Sequence, residues 1–510
     1  NASADLTRER DGYFVTFTVQ EGLRYDFDKV QVISDVAEVG AEDFSNLVSI
    51  KPGEVYNPSE IDLTIRRIES LALKRRLQFV SVDLRIKRNL KKQTIDIDFV
   101  LVKAPQMFVE RIDIKGNVTT LDQVIRRHFW IAESDPFNPR EVRNAAERLR
   151  ALGFFADVQV SSIQGTRGDQ VLVNVDLVEQ PTGTLGFGIT YSASSGTGLN
   201  LNLSEDNFLG RGQMLSLSFA RGTATTDAFV SFSEPAFLGR DMTFSVAGGN
   251  QSTTGNSASY NTEKRSFSPS IEFPVGEISR LSINLKYVNA DISNVDNTNV
   301  ILNADEGSST DFSMGYRLSY DNRKTGLNAS GGQLLRLTQD FSGFSGDINA
   351  TRTSILALAE KKILNESVTL RILGEGGFYD RTNGNSRLSD RFYGNGQLRG
   401  FETNGIGPRD KNALRDALGG NYFASARIES NFPIGIPEEY GLTGGAFYDM
   451  GSVWGLDNKT GAGVANIVDD SFHMRSAVGV SLFWSTPLGP LRFNWSDAIK
   501  KQSYDRVQDF

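Results

Sequence analysis

The chain has 510 residues, with 54 Lys plus Arg against 62 Asp plus Glu, and a formal net charge of -8 argues against a nucleic-acid-binding surface. Aromatic residues make up 10%, with 33 Phe, which is too much apolar surface for a disordered or collagen-like chain despite 49 Gly. There is no cysteine, and the two histidines, His128 and His473, lie in unrelated contexts, so neither a cysteine- or histidine-based metal site nor a catalytic triad is expected, and no cofactor is implied. No apolar run reaches the roughly 18 residues of a membrane-spanning helix. A membrane β-barrel hides its apolar face in every second residue, so a mean hydropathy of -0.29 is compatible with one. The chain begins at Asn1, without an initiator Met or a signal peptide, and reads as processed or trimmed.

The first third is a repeat. Residues 1–22 end in the alternating segment Tyr13-Phe14-Val15-Thr16-Phe17-Thr18-Val19, which continues through Gln20 and Glu21 and reads as the last strand of a preceding unit. In residues 23–104 a leading strand from Tyr25 to Val32 is followed by Asn57-Pro58 and by the helical stripe Ile61, Ile65, Ile68, Leu71. Two strands, Val80 to Ile86 and Thr94 to Val102, close that unit. Residues 105–180 repeat the programme. Val109 to Ile114 alternates as a strand and ends in Gly116-Asn117, and Leu121, Val124, Ile125 and Phe129 recur at helical spacing. Asn138-Pro139 then caps a second helix with the stripe Val142, Ala146, Leu149 and Leu152, ended by Gly153. Val158 to Val160 and Val171 to Leu177 form the closing hairpin. The basic runs Arg85 to Lys92 and Arg126-Arg127-His128 read as solvated faces.

After Glu179-Gln180-Pro181 the helical period stops. Leu185, Phe187, Ile189 and Tyr191 alternate with Gly186, Gly188, Thr190 and Ser192; Leu199, Leu201 and Leu203 alternate with Asn200, Asn202 and Ser204. Leu215, Leu217 and Phe219 continue the pattern, as do Met474, Val478, Val480, Leu482 and Trp484 near the end. At about 20 residues per strand and connection, residues 181–510 hold roughly 16 strands, the spacing of an outer-membrane barrel. The expected architecture is therefore α+β repeats followed by an all-β, 16-stranded antiparallel transmembrane barrel. A long Gly-rich segment at about 380–420 marks a functional loop. The last stretch, Tyr504 to Phe510, is shorter than a spanning strand and lacks an apolar stripe, so a last strand truncated before its true end is expected.

The two aligned repeats resemble POTRA domains, the periplasmic modules of outer-membrane insertion and transport factors. Gly116-Asn117 and Gly153-Phe154-Phe155 carry the likeness, whereas Ser34-Asp35 and Arg76-Leu77-Gln78-Phe79 make the first copy less regular. Asp206-Asn207-Phe208-Leu209-Gly210-Arg211-Gly212, Ser233-Glu234-Pro235 with Phe237-Leu238-Gly239, and Leu398-Arg399-Gly400-Phe401 are similar to signature segments of the outer-membrane assembly superfamily. Phe447-Tyr448-Asp449-Met450-Gly451 and the segment from Ser485 through Pro487 and Leu488 to Leu491 add to that similarity, which covers essentially the whole chain.

The resemblance implies a non-enzymatic protein of the cell outer membrane with its POTRA domains in the periplasm. Its partners would be unfolded outer-membrane β-barrel proteins, accessory outer-membrane lipoproteins and the lipid bilayer, with no nucleic acid. It also places Arg399 inside the lumen. Periodicity points Glu429 and Asp449 inward, with Arg427 and Arg475 as competing cations, so Arg399 is expected to lock the loop to the wall through these two carboxylates. The strand Leu185, Gly186, Phe187, Gly188, Ile189, Thr190, Tyr191 would meet the last strand at a weak seam, where substrate strands add by β-augmentation. The rival readings are a polypeptide-translocating pore of the two-partner secretion type and a TamA-like assembly factor. A residual strand at Tyr13 favours more POTRA units than the two usual in such pores.

Overall fold

The computed structural model describes residues 2–9, 12–19, 24–36, 39–75, 77, 80–103, 107–192, 196–223, 225–254, 260–323, 331–364, 367–394, 398–410, 415–437, 440–460, 467–486 and 489–510. Gln20, Glu21, Arg76, Gln78, Phe79, Pro487 and Leu488 of the motifs above lie outside the described residues, as do the side chains of Thr190 and Tyr191. The chain divides into two compact units, residues 1–118 with 125–180, and residues 119–124 with 181–510.

The first unit starts with an antiparallel hairpin, β1 (Ala2–Glu9) and β2 (Gly12–Val19), of which the sequence pattern revealed only the second strand. A module follows, made of β3 (Asp26–Ser34), α1 (Glu42–Ser45), α2 (Pro58–Lys74), β4 (Val80–Asn89) and β5 (Thr94–Lys103). β5 is central, parallel to β3 and antiparallel to β4. Its alternate residues Ile95, Ile97, Phe99 and Leu101 form one cluster with Ile61, Ile65 and Ile68 of α2, because a period of two and a period of 3.6 each put one apolar face toward the other. The same order recurs in β6 (Phe108–Lys115), α3 (Asp122–Arg126), α4 (Pro139–Ala151), β7 (Phe155–Gln164) and β8 (Gln170–Glu179), again with the last strand central. Asn138 caps α4 by accepting from the Arg140 and Glu141 amides, with Pro139 in the first turn. Arg140 also donates to Glu69 of α2 at 2.7 Å, an ion pair that joins the two modules.

The second unit is a single meander. Its strands are β9 (Gly183–Ser192), β10 (Gly196–Phe208), β11 (Gln213–Gly222), β12 (Thr225–Glu234), β13 (Thr243–Thr253), β14 (Asn261–Pro274), β15 (Ser279–Ser293) and, after the short helix α5 (Val300–Asn303), β16 (Gly307–Asp321). Then come β17 (Gly331–Gly346), β18 (Ala350–Ile363), β19 (Val368–Arg381), β20 (Tyr422–Pro433), β21 (Leu442–Trp454), β22 (Arg475–Thr486) and β23 (Gly489–Lys500). Every strand pairs antiparallel with its neighbours in sequence, giving one 15-stranded sheet that forms the barrel wall. Outward positions are apolar: Leu185, Phe187 and Ile189 of β9 are about 70% exposed and lie opposite Leu203, Leu201 and Leu199 of β10. Lipid in place of water leaves such rows favourable, and pairing of the backbone along the ladder removes its polar groups from lipid.

Fifteen strands are thus seen among the described residues where sixteen were expected, and the difference lies at the end of the chain. Tyr504 to Phe510 is not a strand. With charges at Asp505, Arg506 and Asp509 it has no face for lipid, and it turns inward. Asp505 accepts two hydrogen bonds from Arg475, at 3.0 Å each, and both side chains are fully buried. The Arg506 amide donates to the Gly405 carbonyl and the Gln508 amide to the Gly400 carbonyl.

Candidate functional site

The long connection between β19 and β20 enters the lumen and is held there by apolar and ionic contacts. Leu398 and Phe401, 2% and 5% exposed, pack with Ile406 of the same loop and with Phe423, Val453, Ala477 and Ala498 of the wall. Gly400 between them has φ 88°, and a Cβ there would stand 2.7 Å from the Ala477 Cβ, so both backbone conformation and space require glycine. These constraints fix the direction of the Arg399 side chain.

Arg399 donates from Nε to Asp449 Oδ2 at 2.7 Å and from Nη2 to Asp449 Oδ1 at 2.6 Å, a two-pronged pair, while its own amide donates to Oδ2 at 3.1 Å. Its Nη1 donates to Glu429. The guanidinium lies 3.5 Å from the centroid of the Phe447 ring, which supplies a negative π-face. Asp449 is 0% exposed. A carboxylate so enclosed is tolerable only when it is paired, and here three of the loop's N–H groups converge on it.

The two competing arginines are engaged elsewhere. Arg427 donates to Glu375 at 2.6 Å, and Arg475 is taken by Asp505. Glu429 is shared instead with Arg492 of β23, whose guanidinium lies 4.8 Å from the Phe483 ring centroid, and it lies 4.0 Å from Arg371 of β19. The sequence reading missed Glu375, Arg492 and Asp505 as partners. Nothing in one sequence says which strands stand opposite each other.

The residues proposed for the seam are far from this loop in sequence and line the first strand. Gly186 and Gly188 of β9 sit between the exposed Leu185, Phe187 and Ile189. A Cβ at Gly186 would approach nothing closer than 3.7 Å, and one at Gly188 nothing closer than 3.9 Å, so packing does not demand glycine at either position. Among the described residues β9 pairs only with β10 and β23 only with β22. Also among the described residues, no group of three or more His, Asp and Glu side chains is placed to hold a metal ion.

A family model described as the Omp85 superfamily domain matches residues 207–510, more than half of the chain. The chain belongs to the Omp85 superfamily. A POTRA model, described as a surface antigen variable number repeat, matches residues 25–104 and 107–180. The outer membrane assembly factor BamA of Neorickettsia risticii (strain Illinois) is 26% identical over 505 residues, covering 98% of this chain and 67% of that protein. The chain thus spans about two thirds of that relative's length. Among solved structures, BamA from Haemophilus ducreyi lacking POTRA domains 1–3 aligns with TM-score 0.68 at 22% identity, over 95% of this chain and 98% of that one. CdiB from Acinetobacter baumannii aligns with TM-score 0.55 at 12% identity, over 96% and 89%. At these identities the structural likenesses establish a common fold, POTRA modules followed by an antiparallel Omp85 barrel. The protein resides in the outer membrane, with its POTRA modules on the periplasmic side.

Proposed function

We propose that this protein assembles β-barrel proteins into the outer membrane by offering them a strand template at a weak seam beside β9. The observation that carries the reading is the glycine pattern of that strand. Gly186 and Gly188 are not required sterically, and their effect is to remove side-chain packing from the lumen face and to free the backbone, which lowers the cost of exchanging one strand partner for another. An incoming strand adds by β-augmentation, and its folding and burial in lipid supply the driving force without nucleotide or catalytic group. Residues 23–104 and 105–180 act as the POTRA modules that receive nascent chains and accessory lipoproteins. Leu398, Arg399, Gly400 and Phe401 form the lock. Held to Asp449 and Glu429, they keep the loop seated in the lumen while the seam works.

The test is reconstitution into liposomes, timing the appearance of a protease-resistant, heat-modifiable barrel from an added unfolded outer-membrane protein. Acceleration is expected, and it should disappear when a disulfide between introduced cysteines ties β9 to β23 and return on reduction. The chain has no cysteine of its own to interfere. Export of a soluble passenger without acceleration of barrel folding would instead identify a translocation pore.

A further inference from the structure

Three of the turns at the end of the barrel where the chain enters β9 hold a leucine in the left-handed backbone region: Leu209 (φ 54°), Leu238 (φ 56°) and Leu364 (φ 52°). That conformation brings Cβ against the following carbonyl, so such positions ordinarily take Gly or Asn. Burial does not compensate for the strain, because the three side chains are 69%, 77% and 72% exposed. The turns are firm. The amide of Gly210 bonds the Asn207 carbonyl and that of Gly239 the Ala236 carbonyl, both at 2.9 Å, while the Ser367 amide bonds the Leu364 carbonyl at 3.3 Å. The three leucine side chains are exposed at these turns.

Two of the turns share one sequence, Phe208-Leu209-Gly210-Arg211 and Phe237-Leu238-Gly239-Arg240, with both arginines exposed. Apolar residues of the wall stand beside two of these turns. Phe237 stacks on Phe244 at 5.0 Å between centroids, and Phe244 stands opposite the outward Ile271. Ile363, opposite Val368, directly precedes Leu364. At the same end Val275 and Ile278 are also exposed, at 51% and 45%.

We propose that these turns are membrane-interface anchors: Leu209, Leu238 and Leu364 enter the boundary between headgroups and acyl chains of the periplasmic leaflet, and Arg211 and Arg240 meet lipid phosphates. The occupant is lipid because Leu238 and Leu364 adjoin apolar residues of the lipid-facing wall, and a cation two residues after each Phe-Leu-Gly leucine is the complement of a phosphate layer. Such anchors set the depth and tilt of the barrel. The inference rests on the outer-membrane location and is independent of the assembly reading.

Single cysteines replacing Leu209, Leu238, Leu364 and, as a control in the long loop at the opposite end, Asn385 provide the test, each labelled with a polarity-sensitive fluorophore in the complete protein in phospholipid vesicles. Folding of each variant is checked by its heat-modifiable electrophoretic shift. Labels at the three leucine positions should be quenched by lipids brominated near the headgroup and shielded from aqueous iodide, and the Asn385 label should behave in the opposite way. Iodide-accessible labels with no quenching by brominated lipid would overturn the proposal. So would shielding that arises only on adding an unfolded barrel protein, which would mark the turns as a protein-docking surface.

Discussion

In the first POTRA module the most deeply enclosed side chains are Phe44, Ile65, Ile68, Ile97 and Phe99, whereas in the barrel they include Arg475, Asp449 and Asp505. Both regions alternate apolar and polar residues along their strands, but water surrounds one and lipid the other, so the enclosed face is apolar in the first and carries buried ion pairs beside its apolar contacts in the second. The difference is one of energetics as well as composition. An apolar core loses stability in proportion to what is removed, because each methylene contributes its own transfer and packing energy. A buried ion network fails abruptly, since deleting one partner strands the other's charge.

The largest expected effect follows from that contrast. Asp449→Ala removes the acceptor of three Arg399 hydrogen bonds and should cost about 4 kcal/mol of loop docking, on the scale of breaking a buried pair. Limited proteolysis should then cut within 382–421, while the POTRA modules stay protected. Glu429→Ala should cost less, because Asp449 continues to hold Arg399. If Asp449→Ala left the loop as resistant as in the parent, the ionic half of the contrast would be wrong.

Ile97→Ala is the matching change in the apolar core. Ile97 is 0% exposed in the cluster of β5 and α2, and truncation should cost about 3 kcal/mol. Hydrogen exchange should rise throughout residues 25–104 with the barrel unaffected. A change that spread into the barrel would show that the two regions do not melt as separate units.

These cases also show what alternation along a chain can and cannot convey. Glu429 and Asp449 were legible as inward residues because a period of two assigns every strand position to a face. Arg492 and Asp505 were not legible as partners of Glu429 and Arg475. The Arg492–Glu429 pair spans 63 residues of sequence, and its meeting depends on register and closure, which a face pattern leaves open. The repeat was readable because two copies reinforced each other, but α1, one turn long, has too few residues to show a period. In the same way, the alternation of Tyr504 to Phe510 gave no sign that Asp505 would meet Arg475 in the lumen.

A third prediction uses pH to probe the one histidine in the POTRA repeats. Burial, then the nearby Arg127 and Arg148, lower the His128 pKa from 6.5 to about 4, and its Nε2 has no hydrogen-bond partner among the described residues. The folded module therefore keeps the ring neutral, while the unfolded chain takes up a proton near 6.5. Stability is fully present above pH 6.5 and falls as pH drops toward 4, by about 2 kcal/mol once partial solvent access is allowed for. Denaturant titration at several pH values, followed by exchange in residues 107–180, should show this slope, and His128→Gln should flatten it.

The smallest expected energy change carries the largest functional contrast. Gly186→Ala and Gly188→Ala each add one methyl to β9 where nothing stands closer than 3.7 Å, so neither strains the strand. Each should stabilise the barrel by about 0.5–1 kcal/mol by reducing the freedom of the unfolded backbone. Because a stiffer first strand is harder to exchange, assembly in liposomes should slow as heat resistance rises. The control is a similar glycine within the wall, Gly374, where the nearest atom to an added Cβ is 3.9 Å away. Gly374→Ala should give the same stabilisation with no loss of assembly rate. Equal slowing by all three substitutions would make general barrel rigidity, rather than the β9 edge, the quantity that limits assembly, and the seam reading would fail.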